Sequence, residues 1–228
     1  MDNNCECSGC QFRNVAFSTL EMGQVTNLCK FRQEYIYSKG GIIHKEGDPI
    51  QDFKYLKSGL VKVFRSNKRG SEQIIAITRP FEFVSNMSIF SEEMYKYSVS
   101  AIEESVICSI KLEYIRELVA GNGHFALELM TKISKISDKI ILQTLDIRNR
   151  NLVGRVAYIL LYFAKDIYNT RVFDLPVSRK EIADYISMST ANVIRTLSDF
   201  RREGIIKLYG KTVEIDDIEK LEIISERG

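Results

Sequence analysis

The chain has no tryptophan, three prolines, two histidines and five cysteines in 228 residues. It also lacks any run of about 18 apolar residues, so no transmembrane helix and no membrane partner are expected. No basic segment followed by an apolar core opens it, which argues against a secretory leader and for the cytoplasm, where thiols stay reduced. His44 and His124 are the only histidines available as ligands, and each reads as a packing or solvent-exposed residue. Glycine-rich phosphate loops, triad spacings and His-x-x-His pairs are all missing, so an enzyme is not expected. A formal net charge of +2 is too small to announce a polyanionic partner, which must be read from local clustering.

What is present comes in three registers. From about 35 to 110, short apolar runs alternate with turn signals. Gly41-Ile42-Ile43, Tyr55-Leu56, Leu60-Val61-Lys62-Val63-Phe64, Gln73-Ile74-Ile75-Ala76-Ile77 and Val106-Ile107-Cys108-Ser109-Ile110 read as strands. Glu46-Gly47-Asp48-Pro49, Ser58-Gly59 and Lys68-Arg69-Gly70-Ser71 read as tight turns. Many short strands at near-regular spacing predict an antiparallel barrel or jelly roll.

The period then changes. From about 124 to 149 there is neither proline nor glycine, and Leu129, Ile133, Ile136, Ile140, Gln143 and Ile147 recur in steps of four and three. That heptad seam predicts one long helix paired with a second copy, with Gln143 as the polar residue that sets register. A single buried helix face would have the same period.

A further amphipathic helix is expected at about 152 to 167, carrying Val156, Ile159, Leu160 and Phe163 on one face. Ser178-Arg179-Lys180-Glu181 has the form of a capping box. The helix it starts is short, Ser187-Met188-Ser189 makes a turn, and Ser189 or Thr190 caps a second helix that Gly204 stops. Residues 205 to 209 and 212 to 215 predict a hairpin around Gly210-Lys211. Two helices across a short turn, followed by a hairpin, form a winged helix-turn-helix. Between Ser178 and Lys211 there are seven Lys/Arg against four Asp/Glu, the local positive balance that phosphate contacts need.

The remaining feature is the opening stretch MDNNCECSGCQF, which packs Cys5, Cys7 and Cys10 together. Clustered thiols in a reducing compartment point to metal or redox chemistry more than to a disulfide framework. Cys29 and Cys108 read by default as buried core thiols.

In this order the sensor barrel, long helix and winged helix resemble the Crp/Fnr family of bacterial transcription regulators. The resemblance runs over roughly residues 20 to 220. It is carried by Gly47-Asp48-Pro49-Ile50-Gln51-Asp52-Phe53-Lys54-Tyr55-Leu56-Lys57-Ser58-Gly59, by Val177-Ser178-Arg179-Lys180-Glu181-Ile182-Ala183-Asp184-Tyr185-Ile186, by Asn192-Val193-Ile194-Arg195-Thr196-Leu197 and by Gly210-Lys211-Thr212. It implies an α+β fold with a jelly-roll sensor domain and its cysteine arm over 1–123, a dimerisation helix over 124–150 and a winged helix-turn-helix over 151–228.

The resemblance also implies a function: a homodimer on a roughly palindromic operator in double-stranded DNA, touching RNA polymerase if it activates. Arg195 would read a guanine edge, Arg179 and Lys211 would hold phosphates, and Ser189, Thr190 and Asn192 complete the candidate contacts. Where the family often has a glutamate four residues before that arginine, this chain has Ala191, so part of the usual half-site should differ.

For the effector, Ser85-Asn86 and Tyr95-Lys96 replace the Gly-Glu and Arg-Ser pairs of the cyclic-nucleotide branch, so cyclic AMP is not expected. The oxygen-sensing branch holds a [4Fe-4S] cluster on N-terminal cysteines and one remote cysteine. Cys5, Cys7, Cys10 and Cys108 supply that ligand count, although the branch's third N-terminal position falls here on Ala16. Four thiolates also satisfy zinc, and a haem-bound gas or another small ligand is the alternative effector.

Overall fold

The computed structural model describes residues 17–66, 72–84 and 88–228. A short helix α1 (Met22–Lys30) leads into strands β1 (Gln33–Tyr37), β2 (Ile42–His44), β3 (Asp52–Ser58), β4 (Val61–Ser66), β5 (Glu72–Thr78), β6 (Ser98–Ala101) and β7 (Ser105–Lys111). These form two sheets, ordered β1-β7-β3 and β2-β6-β4-β5, with antiparallel pairing in the β1–β7, β3–β7, β2–β6 and β4–β6 registers. The predicted jelly-roll-like sensor is therefore observed. At the β3–β4 turn Gly59 has φ of +89°, and a Cβ there would meet the Glu104 carbonyl at 2.3 Å. Only glycine fits both the backbone and the space.

Behind the three-stranded sheet lies an apolar core. Phe53, Tyr55, Cys108 and Ile110 face Leu20, Val25 and Leu28 around α1, together with Ile115 of α2 (Leu112–Gly121) and Phe125 and Leu129 of α3 (Gly123–Asn149). Burying each such large side chain contributes about 1.5–3 kcal/mol. The chain divides into two compact units, and the division falls inside α3 after Lys139.

The second unit continues with α4 (Leu152–Leu161), which runs into a π-helical turn (Tyr162–Ile167). Then come β8 (Val172–Asp174), α5 (Arg179–Tyr185), α6 (Thr190–Arg202), β9 (Ile206–Tyr209), β10 (Thr212–Ile215) and α7 (Ile218–Arg227). The predicted hairpin is β9–β10, and β8 adds a third antiparallel strand on its other side.

A candidate nucleic-acid interface and a thiol-bearing sensor core

In the second unit, local chemistry places the helix-turn-helix. Ser178 caps α5: its Oγ accepts from the Glu181 amide at 3.2 Å, and the Glu181 carboxylate accepts from the Ser178 amide at 2.9 Å. The turn carries Ser187 at φ of +54°, a left-handed conformation that non-glycine residues adopt at some cost. Ser189, and not Thr190, is the cap of α6, its Oγ accepting from the Asn192 amide at 3.2 Å. Val193, Leu197 and Phe200 hold α6 against the unit's core. Ala191, Ile194, Arg195 and Ser198 are left on the solvent face, with Thr190 and Asn192 half-buried beside them. Gly204, at φ of +69°, ends the element as predicted.

The predicted DNA-contacting residues differ in how they are held. Arg195 is exposed and makes no ion pair among the described residues. Arg179 donates to the Gly210 carbonyl at the wing tip, which ties the first helix to the hairpin. Lys211 pairs with Asp174 at 2.7 Å, and Thr212 donates to the same carboxylate at 2.6 Å. Those two contacts hold the exposed Asp174 carboxyl below its ordinary value.

Two arginines that sequence reading missed clasp the break between α3 and α4. Arg155 donates to the carbonyls of Arg150 at 3.0 Å and of Arg148, Ile186 and Ser187 at 3.3 Å. Arg150 donates to the Ser225 carbonyl at 2.8 Å and lies 4.6 Å from the centre of the Tyr158 ring. Neither position carries a motif, because the acceptors are backbone carbonyls up to 75 residues away.

In the sensor unit, Cys108 lies on the central strand β7, opposite Glu34 on one side and Tyr55 on the other. It is fully buried, and its thiol donates to the Glu34 carboxylate at 3.6 Å. Burial above all, with the Glu34 charge adding to it, pushes the thiol up to about 12; Tyr55, Arg32 and Lys57 act in the other direction. Glu34 in turn pairs with Arg32 at 3.1 Å and Lys57 at 2.9 Å. Burial works against its charge, but the Lys57 and Arg32 contacts prevail and keep the carboxyl below its ordinary value.

Cys5, Cys7 and Cys10 lie outside the described residues, as do the Ser85-Asn86 and Lys68 to Ser71 stretches. Among the described residues, no group of three or more metal-ligating side chains comes together. Cys29 corrects its expectation. It is half-buried at the edge of the core, and it is disulfide-bonded where a buried free thiol was expected.

Just after the cysteine-rich stretch, the chain is fastened to α3. Ser18 Oγ and Thr19 Oγ1 donate to the Glu128 carboxylate at 2.7 and 2.6 Å, and Phe17 stacks on Phe125 at 5.8 Å. Burial opposes the Glu128 charge, but Lys132, Ser18 and Thr19 together bring its carboxyl down to about 2.

Inside the barrel, His44 stacks on Tyr95 with ring centres 3.7 Å apart, and burial holds its imidazole down to about 3. It is a packing histidine, as expected. His124 is exposed in the first turn of α3. Lys96 sits on the surface in an ion pair with Glu92 at 3.3 Å, while Tyr95 is buried. The Tyr95-Lys96 pair thus presents no paired cation to the interior.

The residues of the predicted dimer seam are held differently along α3. Leu129 and Ile147 are buried in their own chain, at 2% and 5% exposure, and Ile133 and Ile136 pack partly on the sensor core. Ile140 and Gln143 are half-buried. The exposed apolar residues of α3 are instead Leu127, Met130, Ile141, Leu142 and Leu145. These exposed residues form one patch near each end of the helix, with Ser134, Ser137 and Asp138 between them, while the predicted stripe includes residues turned inward.

Comparison with known proteins agrees with this geometry. Residues 35–122 match the cyclic nucleotide-binding domain family and residues 154–224 the Crp-like helix-turn-helix domain family. The transcriptional activator protein Anr of Pseudomonas aeruginosa is 29% identical over 184 residues, which cover 78% of this chain and 75% of that protein. A CRP-like cAMP-activated global transcriptional regulator of Mycobacterium tuberculosis is 27% identical over 209 residues, covering 90% and 93%. FixK2 from Bradyrhizobium japonicum superposes with a TM-score of 0.75 at 20% identity, covering 85% of this chain and 96% of that one, and supports the fold. An exposed arginine on a capped second helix, a winged hairpin and a double-sheet domain, with the two matching domain families, all lead to one assignment: the chain belongs to the Crp/Fnr family of transcription regulators, among relatives of the Fnr-like branch.

Proposed function

We propose that this DNA-binding regulator acts in the cytoplasm as a homodimer whose operator affinity is set by an oxygen- or redox-labile group on its cysteines, most simply a [4Fe-4S] cluster. The observation that carries DNA reading is Arg195, exposed and without an ion pair beside a capped helix start. Its planar fork suits the O6 and N7 acceptors of guanine. Arg179 and Lys211 are proposed phosphate contacts. The exposed stripe Leu127, Met130, Ile141 and Leu145 is the proposed dimer face, together with Ile140 and Gln143 from the original seam. Two copies then address half-sites about 34–36 Å apart. An activator of this kind would also contact RNA polymerase.

For the effector, the donor chemistry of the described residues fits a cluster at one corner. Cys108 offers a sheltered thiol, and the Arg32 and Lys57 cations beside Glu34 offset the negative charge that thiolate ligation brings. Cys5, Cys7 and Cys10 are the other proposed ligands, in protein whose Cys29 disulfide has been reduced. When bound, such a cluster would supply sensitivity to oxygen, nitric oxide or peroxide. Any disturbance of the cysteine stretch would reach α3 through the Ser18 and Thr19 contacts to Glu128. Cyclic AMP is not the proposed ligand, because Lys96 faces out and Tyr95 and His44 fill the interior.

Anaerobic purification followed by iron and sulfide analysis, visible spectroscopy and operator titration tests this reading. A brown protein that bleaches in air and then loses operator affinity is expected. A colourless, iron-free anaerobic protein would overturn the cluster. The disulfide at Cys29 favours a second reading, a thiol–disulfide switch, since a bond of this kind in a reducing compartment is characteristically redox-active. An iron-free preparation whose operator affinity follows the oxidation state of Cys29, read by mass spectrometry, would select it. Zinc without any redox response would select a structural metal.

A further inference from the structure

We infer that Ile194 is a specificity-determining residue that reads the C5-methyl group of a thymine next to the guanine contacted by Arg195. This rests on the DNA-binding reading above and deepens it. Ile194 is the large apolar side chain on α6 that stays in solvent, 51% exposed, while Val193, Leu197 and Phe200 supply that helix's core contacts without it. It stands immediately before Arg195 in sequence, and exposed Ala191 lies one turn earlier on the same face. One turn later, Ser198 directs its hydroxyl to the Ile194 carbonyl at 2.9 Å, so its proton is committed to the backbone.

The surface beside Arg195 therefore presents hydrocarbon from Ala191 and Ile194. The glutamate position that would accept from cytosine N4 is occupied by Ala191. In the major groove, the base-pair feature that matches an apolar contact is the thymine methyl. A β-branched side chain in a helix keeps one χ1 rotamer, so Ile194 offers that methyl a fixed surface at little entropic cost. A protein partner is the competing occupant of this patch. DNA is favoured because the patch is continuous with Arg195 and lies within the first two turns of the capped helix.

The test uses the full-length protein and an operator selected from random duplex DNA. Each thymine of a half-site is replaced singly by deoxyuridine, which removes only the methyl group. The expected result is one thymine, flanking the Arg195-dependent guanine, whose replacement weakens binding about three- to fivefold. In Ile194→Ala that deoxyuridine effect disappears while the guanine requirement stays. In Arg195→Ala the guanine requirement disappears while the deoxyuridine effect stays. The inference is overturned if no thymine responds, or if the response persists in Ile194→Ala. It is also overturned if Ile194→Ala keeps every base preference and loses binding to RNA polymerase. Failure to select any operator would overturn the DNA-binding reading itself, and this inference with it.

Discussion

In the sensor unit the side chains with chemistry to offer are inside: Cys108 is fully buried, and His44 and Tyr95 are stacked within the barrel. In the DNA-binding unit the corresponding side chains stand in solvent, with Arg195 and Ile194 on the open face of α6. The difference follows from what each must meet. Burial keeps the Cys108 thiol protonated and away from adventitious oxidants, which suits the role proposed for it. A base edge is itself exposed, and only a protruding side chain reaches it. The same chain therefore treats burial as a requirement at one end and as a defect at the other.

The largest effect should come from breaking the buried side. Phe125→Ala removes a fully buried ring from the sensor core and should cost about 3–5 kcal/mol in denaturant unfolding. Arg195→Ala should reverse that pattern. Unfolding should stay within about 0.5 kcal/mol of the parent, while specific DNA binding weakens by about 1–3 kcal/mol, as fluorescence anisotropy would report.

Two titrations sharpen the contrast on the sensor side. Burial raises the Cys108 thiol from 9.0 to about 12, so the native state holds its proton longer than the unfolded chain does. Its contribution is complete below 9.0 and is lost as pH rises toward about 12. In metal-free protein the alkaline limb should fall by up to about 1.4 kcal/mol per pH unit and flatten in Cys108→Ala. Glu128 has the opposite sign: its carboxyl lies at about 2 instead of 4.5, so its contribution is present above 4.5 and is lost as pH falls toward about 2. Acid unfolding of Glu128→Gln should lose that slope. The smallest effect belongs to the exposed cap, where Ser178→Ala should cost about 1 kcal/mol, measured by thermal melting.

The helix-turn-helix was the legible part of the fold because its signals are local. The capping box at Ser178, the cap at Ser189 and the stop at Gly204 each act within four residues. Strand β6 was not legible: Ser98–Ala101 is four residues long and buried on both faces, so it shows no alternation. Helix α7 was missed although Asp217 caps it, since its apolar face has meaning only against α4. The seam on α3 was legible only as a period. Periodicity reports that a stripe exists, and it is silent on which of its residues meet their own core. At the site, the identity of Arg195 was readable from sequence, whereas the ties of Arg179 to the wing and of Lys211 to Asp174 join distant segments.

Arg155 has a consequence that its distances alone do not express. The four carbonyls it gathers come from two places, the end of α3 and the turn that follows α5. Both are C-terminal helix ends, where partial negative charge accumulates, and one permanent cation faces both. The helix that carries the proposed dimer face and the turn that precedes the proposed reading helix thus share a single counter-ion. Neither end can draw away without exposing its carbonyls to the loss of that charge. In electrical terms the two helices are wired to a common terminal.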